Sequence, residues 1–135
     1  MAGQGSSIAH SFENIAKIYD GIEEKNRVGI CFDTCHAFAA GYDLKDNYEN
    51  VWQLFHETIG LDKLIAIHLN DSKKPLGSRI DRHENIGKGH LTEAAFKNII
   101  NDARFKNTIK ILEAPIEIDE NDYKKDLATL TSLIT

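Results

Sequence analysis

Apolar residues recur along this chain in two alternating rhythms. Spacings of three and four mark helices, and short Ile- and Val-rich runs between them mark strands. Ile8, Phe12, Ile15, Tyr19 and Ile22 form the first helical stripe and predict a helix over 11–24, with Ser11 as its N-cap. The run Val28-Gly29-Ile30-Cys31-Phe32 then predicts a strand. Neither of its faces carries a polar group before Asp33, so it reads as buried on both sides, as in a parallel sheet covered by helices. Tyr48, Val51, Trp52, Phe55 and Ile59 give a helix over 47–59, with its aromatics assigned to the core. Leu64 to Leu69 predicts a second strand, with Ile65, Ile67 and Leu69 on one face and Leu64, Ala66 and His68 on the other. Ala95, Phe96, Ile99 and Ile100 mark a further helix capped by Thr92. Ile109 to Glu113 predicts a third strand in which Ile109, Ile111 and Glu113 share a face. The last helix begins near Asp122 and turns Tyr123, Leu127, Leu130 and Leu133 inward.

Alternating strands and helices imply right-handed βαβ units and a parallel sheet, hence an α/β fold. Each predicted strand ends on a group able to bind a cation: Asp33, His68 and Glu113. Functional groups at the carboxyl ends of parallel strands occur in (β/α)8 barrels and in open α/β sheets. A whole barrel needs eight strands and roughly 250 residues. The 135 residues here supply about three parallel strands with flanking helices. The expected architecture is therefore the C-terminal part of a TIM (β/α)8 barrel occupying 1–135, without an N-terminal half.

Composition narrows the function classes. At 41% hydrophobic and 27% charged residues, the chain has the balance of a globular domain. No apolar run approaches the roughly 18 residues of a membrane helix, so no membrane association is expected. A formal net charge of −5 argues against a protein that coats DNA nonspecifically; nucleic-acid binding would need a local basic patch or metals. The two cysteines, Cys31 and Cys35, lack CxxC spacing and are assigned to packing, which suits a cytoplasmic protein.

Candidate chemistry concentrates in His68 to His83, HLNDSKKPLGSRIDRH. His68 sits where the second strand ends. Asp81 and His83 are separated by one residue, so extended backbone points both to one side, as metal ligation requires. The long loop over 70–90 that carries them is expected to be functional. Asp33 and His36 differ by three, so either the chain turns after Asp33 or the two serve different metals. His10 and His56 are assigned no chemistry.

These residues carry a family resemblance. Gly29-Ile30-Cys31-Phe32-Asp33-Thr34-Cys35-His36 resembles one motif of the endonuclease IV family of AP endonucleases. His68-Leu69-Asn70-Asp71-Ser72-Lys73, with Gly77-Ser78-Arg79-Ile80-Asp81-Arg82-His83, resembles a second. Ala2-Gly3-Gln4-Gly5, Ala37 to Asp43 and Glu113 stand where that family has similar segments. The resemblance implies a TIM barrel with three zinc ions that incises double-stranded DNA 5′ to an abasic site.

Carried over by residue, it implies one zinc on His36, Asp81 and His83 and a second on Asp33, His68 and Glu113. A glutamate that bridges the second zinc to another would fall at Met1 or before it, so at most two sites, one of them complete, are expected here. Clustered zinc ions offset phosphodiester charge and stabilise a leaving oxygen. Lys73, Arg79 and Arg82 are candidates for phosphate contact, and Asn70 and Asp71 for orienting ligand histidines. Two other readings remain. One is a metal-dependent sugar isomerase of a related barrel. The other is a truncated, non-catalytic product that self-associates or pairs with a missing N-terminal half.

Overall fold

The structure is a computed structural model that describes residues 2–113 and 120–135. Strands β1 (Ile30–Asp33), β2 (Leu64–His68) and β5 (Ile109–Ile111) form a parallel sheet in the order β1-β2-β5. Helices α1 (Phe12–Asp20), α2 (Thr34–Ala40), α3 (Tyr48–Thr58), α4 (Thr92–Asn101) and α5 (Glu120–Ser132) complete the described fold. A second, antiparallel ladder pairs β3 (Asp71–Ser72) with β4 (His83–Glu84).

α1 begins as expected: the Ser11 hydroxyl accepts the Asn14 N–H at 3.3 Å and so occupies an otherwise orphan donor. The helix ends at Asp20 rather than reaching 24, and Ile8 lies outside it, exposed. α3 buries Val51, Trp52 and Phe55 against the sheet. Phe32 packs on Trp52 at 4.5 Å between ring centroids, Trp52 on Phe105 at 4.4 Å, and Phe12 stacks on Tyr42 at 3.9 Å. Each fully buried ring of this cluster contributes about 1.5–3 kcal/mol relative to exposure. The cluster holds the helix layer against one face of the sheet.

The other face is open, which corrects the expectation of a strand buried on both sides. Cys31, Ile65, Ile109 and Ile111 are exposed there, with Ile109 at 63%. β1 starts at Ile30, not Val28. Register explains the position of Ile65. Ile30 pairs with Leu64 but Cys31 with Ala66, so Ile65 is an extra residue in a bulge. The slip puts Leu64 with Ile67 on the buried side and Ile65 on the open one.

Four further expectations change. The chain turns straight from β1 into α2, an element the apolar spacing did not mark. Thr92 does not cap α4; the cap position is Leu91, without a side-chain bond, and Thr92 takes a left-handed φ of 66°. The long loop over 70–90 is pinned at its base by the two-pair β3–β4 ladder, which the sequence did not mark. In α5 Leu130 is buried and Leu133 packs on the core, but Tyr123 and Leu127 are exposed. That helix is rotated to bury Asp126, whose carboxylate accepts the Ile86 N–H at 3.1 Å and the Asn85 side-chain amide at 3.0 Å.

Candidate metal centre

Asp33 is the last residue of β1 and the N-cap of α2. Its Oδ1 accepts the His36 N–H at 2.9 Å, so the three-residue spacing that no strand could use becomes a capping geometry. One turn of helix then brings His36 back over the strand end. α2 closes on Gly41, whose φ of 110° only glycine adopts without strain. The last carbonyls of this helix hold the distal loop: Gly77 N–H bonds Phe38 O at 3.0 Å and Arg79 N–H bonds Ala39 O at 2.9 Å. That docking, with Lys73 N–H on Arg82 O at 2.9 Å and the Ser72–His83 pair, delivers Asp81 and His83 to His36.

Two clusters result. In the first, His36 Nε2 lies 2.9 Å from Asp81 Oδ2, and His83 Nε2 lies 3.5 Å from Asp81 Oδ1. In the second, His68 Nδ1 lies 3.1 Å from Glu113 Oε2 and 3.5 Å from Asp33 Oδ2. Asp33 also faces His36 Nδ1 at 3.9 Å, so it stands between the clusters. Parallel register builds the second one: Asp33, His68 and Ile111 share a row across the sheet, and Glu113 lies two residues beyond Ile111.

Among the described residues, one donor atom from each of Asp33, His68 and Glu113 lies within 4.8 Å of the others, and the same holds for Asp33, His36 and His83 and for Cys35, Asp81 and His83, whereas His36, Asp81 and His83 meet only pairwise through Asp81. Ligands about 2.0–2.1 Å from a tetrahedral zinc stand about 3.3 Å from one another. The four closest separations, 2.9–3.5 Å, bracket that value. The histidine tautomer adds a sharper argument. His83 Nδ1 meets the Glu113 carbonyl oxygen at 3.3 Å. A carbonyl only accepts, so Nδ1 carries a proton, and it is Nε2 that presents a lone pair whenever the ring is neutral. That Nε2 is buried, has no hydrogen-bond partner and faces a carboxylate oxygen. A cation between this nitrogen and the partly exposed Asp81 carboxylate would satisfy both, as would a proton on the ring. Cys35 Sγ also comes near Asp81 and His83, and burial pushes its thiol up to about 12.

The remaining site candidates fall differently from expectation. Asp71 orients no histidine. Its buried carboxylate accepts the backbone N–H groups of Ser72, Gly87, Gly89 and Leu91 at 2.7–3.0 Å, fixing the hairpin base and the start of α4. A side chain at Gly89 would collide with that carboxylate, which is why the chain can pass so close there. Burial still pushes the Asp71 carboxyl up, against the pull of those four bonds. Asn70 reaches carboxylates rather than histidines. Its side-chain amide donates to Asp33 Oδ2 at 2.8 Å and to Glu113 Oε2 at 3.3 Å.

Arg79, in a left-handed turn with φ 57°, and Arg82 are exposed on the distal loop. Arg82 Nη1 donates to the Asp81 carbonyl at 2.5 Å, and Lys73 Nζ lies 3.9 Å from Glu84. His10 is half-buried rather than plain surface, with Nδ1 at 3.0 Å from Ser7 O. Cys35 packs as expected, whereas Cys31 is exposed. Sequence reasoning missed Gln4, whose Oε1 accepts the Asp81 N–H at 3.0 Å, and Thr34. The expected bridging position at Met1 lies outside the described residues.

Comparison with known proteins places this geometry. The family model described as "Xylose isomerase-like TIM barrel" matches residues 1–133. A curated protein called "Probable endonuclease 4", from Phocaeicola vulgatus, is 46% identical over 131 residues, covering 97% of this chain and 46% of that protein. The "Apurinic-apyrimidinic endonuclease 1" of Plasmodium falciparum is 47% identical over 135 residues, covering 98% of this chain and 23% of that protein. The crystal structure of endonuclease IV from Thermus thermophilus superimposes with a TM-score of 0.87 at 32% identity, over 98% of this chain and 47% of that one. The chain thus spans about half the length, or less, of the proteins it matches.

Proposed function

The chain belongs to the xylose isomerase-like TIM barrel family, and from that premise we propose that it carries part of the metal centre of a zinc-dependent phosphodiesterase. The reaction is that of DNA base-excision repair: hydrolysis of double-stranded DNA 5′ to an abasic site, carried out in the cytoplasm. The observation that carries this reading is the convergence of Asp33, His36, His68, Asp81, His83 and Glu113 on one end of the sheet in two clusters. Similarity to proteins named as endonucleases supports the choice of DNA over a sugar substrate.

Charge makes the case for cations. Three carboxylates close to one another would repel a phosphodiester, so they can serve a polyanion only when more positive charge than they carry is held among them. Zinc, when bound, would offset phosphate charge, activate water near neutral pH and stabilise the leaving oxygen. His36, Asp81 and His83 would hold one ion and Asp33, His68 and Glu113 another. The chain's own part is to fix these donors: α2 holds His36, the hairpin ladder holds His83, and docking of the distal loop on α2 holds Asp81. Exposed Arg79 and Arg82 beside Asp81 would meet backbone phosphates, with Lys73 contributing charge from the hairpin. The direct test is incision of a duplex containing one abasic site, with and without chelator, by a full-length relative carrying Asp33→Ala or His68→Ala. Loss of cleavage supports the reading, and retained cleavage contradicts it.

The exposed apolar face of the sheet favours a second reading for the isolated chain. Exposed Ile65, Ile109 and Ile111 would be covered by self-association or by an N-terminal half-barrel, and without such a partner the chain would turn over little or no DNA.

A further inference from the structure

A buried hydrogen-bond chain runs behind the second cluster. Thr34 and Asn70 are almost wholly inaccessible, at 0% and 1% exposure. They bond each other twice: the Asn70 N–H donates to Thr34 Oγ1 at 2.8 Å, and Thr34 Oγ1 donates to Asn70 O at 2.7 Å. The same hydroxyl lies 3.2 Å from His68 O. Thr34 directly follows the ligand Asp33, and Asn70 follows the ligand His68 by two residues. The pair therefore locks the exit of β1 to the exit of β2.

The Asn70 carboxamide extends the lock to β5. Its Oδ1 accepts the Glu113 N–H at 3.1 Å. Its Nδ2 donates to Asp33 Oδ2 and to Glu113 Oε2, the two oxygens that face His68 Nδ1. Only this orientation of the amide works, because flipping it would set an oxygen against two carboxylate oxygens and a nitrogen against an N–H. A carboxylate oxygen has two lone pairs, so one can take the Asn70 N–H while the other points toward the cation position. The donated bonds also offset the repulsion between Asp33 and Glu113, which would otherwise push them apart when no metal is bound.

We infer that Thr34 and Asn70 form a positioning clamp that presets Asp33 and Glu113 at metal-binding separation, so that the Asp33–His68–Glu113 site is preorganised rather than assembled by the ion. This rests on the metal reading above. Orienting partners of this kind typically change metal affinity about 10–100-fold.

The test is titration of the whole chain with Co2+ against a competing chelator, with visible absorption recorded for each variant. Thr34→Val keeps shape and removes the hydroxyl, Thr34→Ser restores it, and Asn70→Leu removes every amide bond. The expected result is a loss of about 10–100-fold at the Asp33–His68–Glu113 site in Thr34→Val and Asn70→Leu, with an altered absorption band. Thr34→Ser should match the unsubstituted chain, and the site abolished by His83→Ala should keep its affinity in all three. Unchanged affinity in folded Thr34→Val, or equal loss at both sites, would overturn the clamp. If Asn70→Leu does not fold, the Thr34→Val and Thr34→Ser pair decides alone. An unsubstituted chain that binds no Co2+ would overturn the metal reading itself, and the clamp with it.

Discussion

Asp33 serves His36 and His68 with its two different oxygens: Oδ1 accepts the His36 N–H at 2.9 Å, and Oδ2 faces His68 Nδ1 at 3.5 Å. One carboxylate thus starts a helix and enters a candidate metal cluster. The two roles separate by mutation. Asparagine caps helices about as well as aspartate, whereas alanine loses about 1 kcal/mol at such a position. Asp33→Asn should therefore keep the stability of the parent in urea denaturation while losing metal at the second cluster. Asp33→Ala should lose both. Equal destabilisation by the two variants would contradict the capping role.

The open sheet face sets the behaviour of the chain in solution. Ile65, Ile109 and Ile111 expose 57%, 63% and 42% of their surface on one side of three strands. Such a patch, with strand edges at β1 and β5, favours association. Light scattering should report oligomers or aggregates. Ile65→Lys with Ile109→Lys, or an added N-terminal half from a full-length relative, should disperse them. A monodisperse monomer of the unsubstituted chain with one sharp unfolding transition would count against this.

Away from the site, Asp102 is the acid-sensitive joint. Burial pushes its carboxyl up, but hydrogen bonds from Arg104 at 2.6–2.9 Å, the Tyr48 hydroxyl at 2.9 Å and the Arg104 charge hold it below the usual range. A depressed folded value means the stabilisation is complete above the unfolded value of about 3.9 and is lost as pH falls through the folded value. Asp102→Asn should cost about 1 kcal/mol at pH 7, a figure kept small because Arg104 is partly exposed. The gap between the two proteins should close as pH drops below about 4. A gap that stays constant down to about pH 2 would rule out this linkage.

Activity should follow ligand supply. Phosphodiester hydrolysis at clustered metals needs ions about 3.5–4 Å apart acting on one phosphate. Losing preorganised charge from such a site costs orders of magnitude in rate. The purified chain alone should show little or no incision of abasic duplex, while weak DNA binding through Arg79 and Arg82 should fall steeply with salt. Turnover by the chain close to that of a full-length relative, with host nuclease excluded, would sink the proposal of a largely inactive chain.

Strand and helix order was legible because burial on the helix side is one-sided and periodic: Val51, Trp52 and Phe55 point where their spacing says. The open face was legible only from the strand count, too low to close a barrel, because Cys31 and Ile109 look the same in sequence whether or not another layer covers them. Ile65 was misplaced because a bulge leaves no mark in a run of apolar residues. α2 was missed because Thr34–Ala40 is short and buried nearly all round, so it has no polar stripe to set a period. The ligand types stood out by motif, but their supports did not. Asn70 and Asp71 are adjacent and both buried, yet one bonds carboxylates and the other backbone amides. Only the register of the strands distinguishes them.

Zinc content of the folded chain and its variants tests the account most directly. The His36–Asp81–His83 set should bind more tightly than the Asp33–His68–Glu113 set, whose Glu113 side chain is 53% exposed. Elemental analysis after dialysis against a mild chelator should find zinc in the folded chain, a lost tight site in His83→Ala, and a retained tight site in Glu113→Gln. Folded protein without zinc, or a tight site that survives His83→Ala, would contradict the assignment.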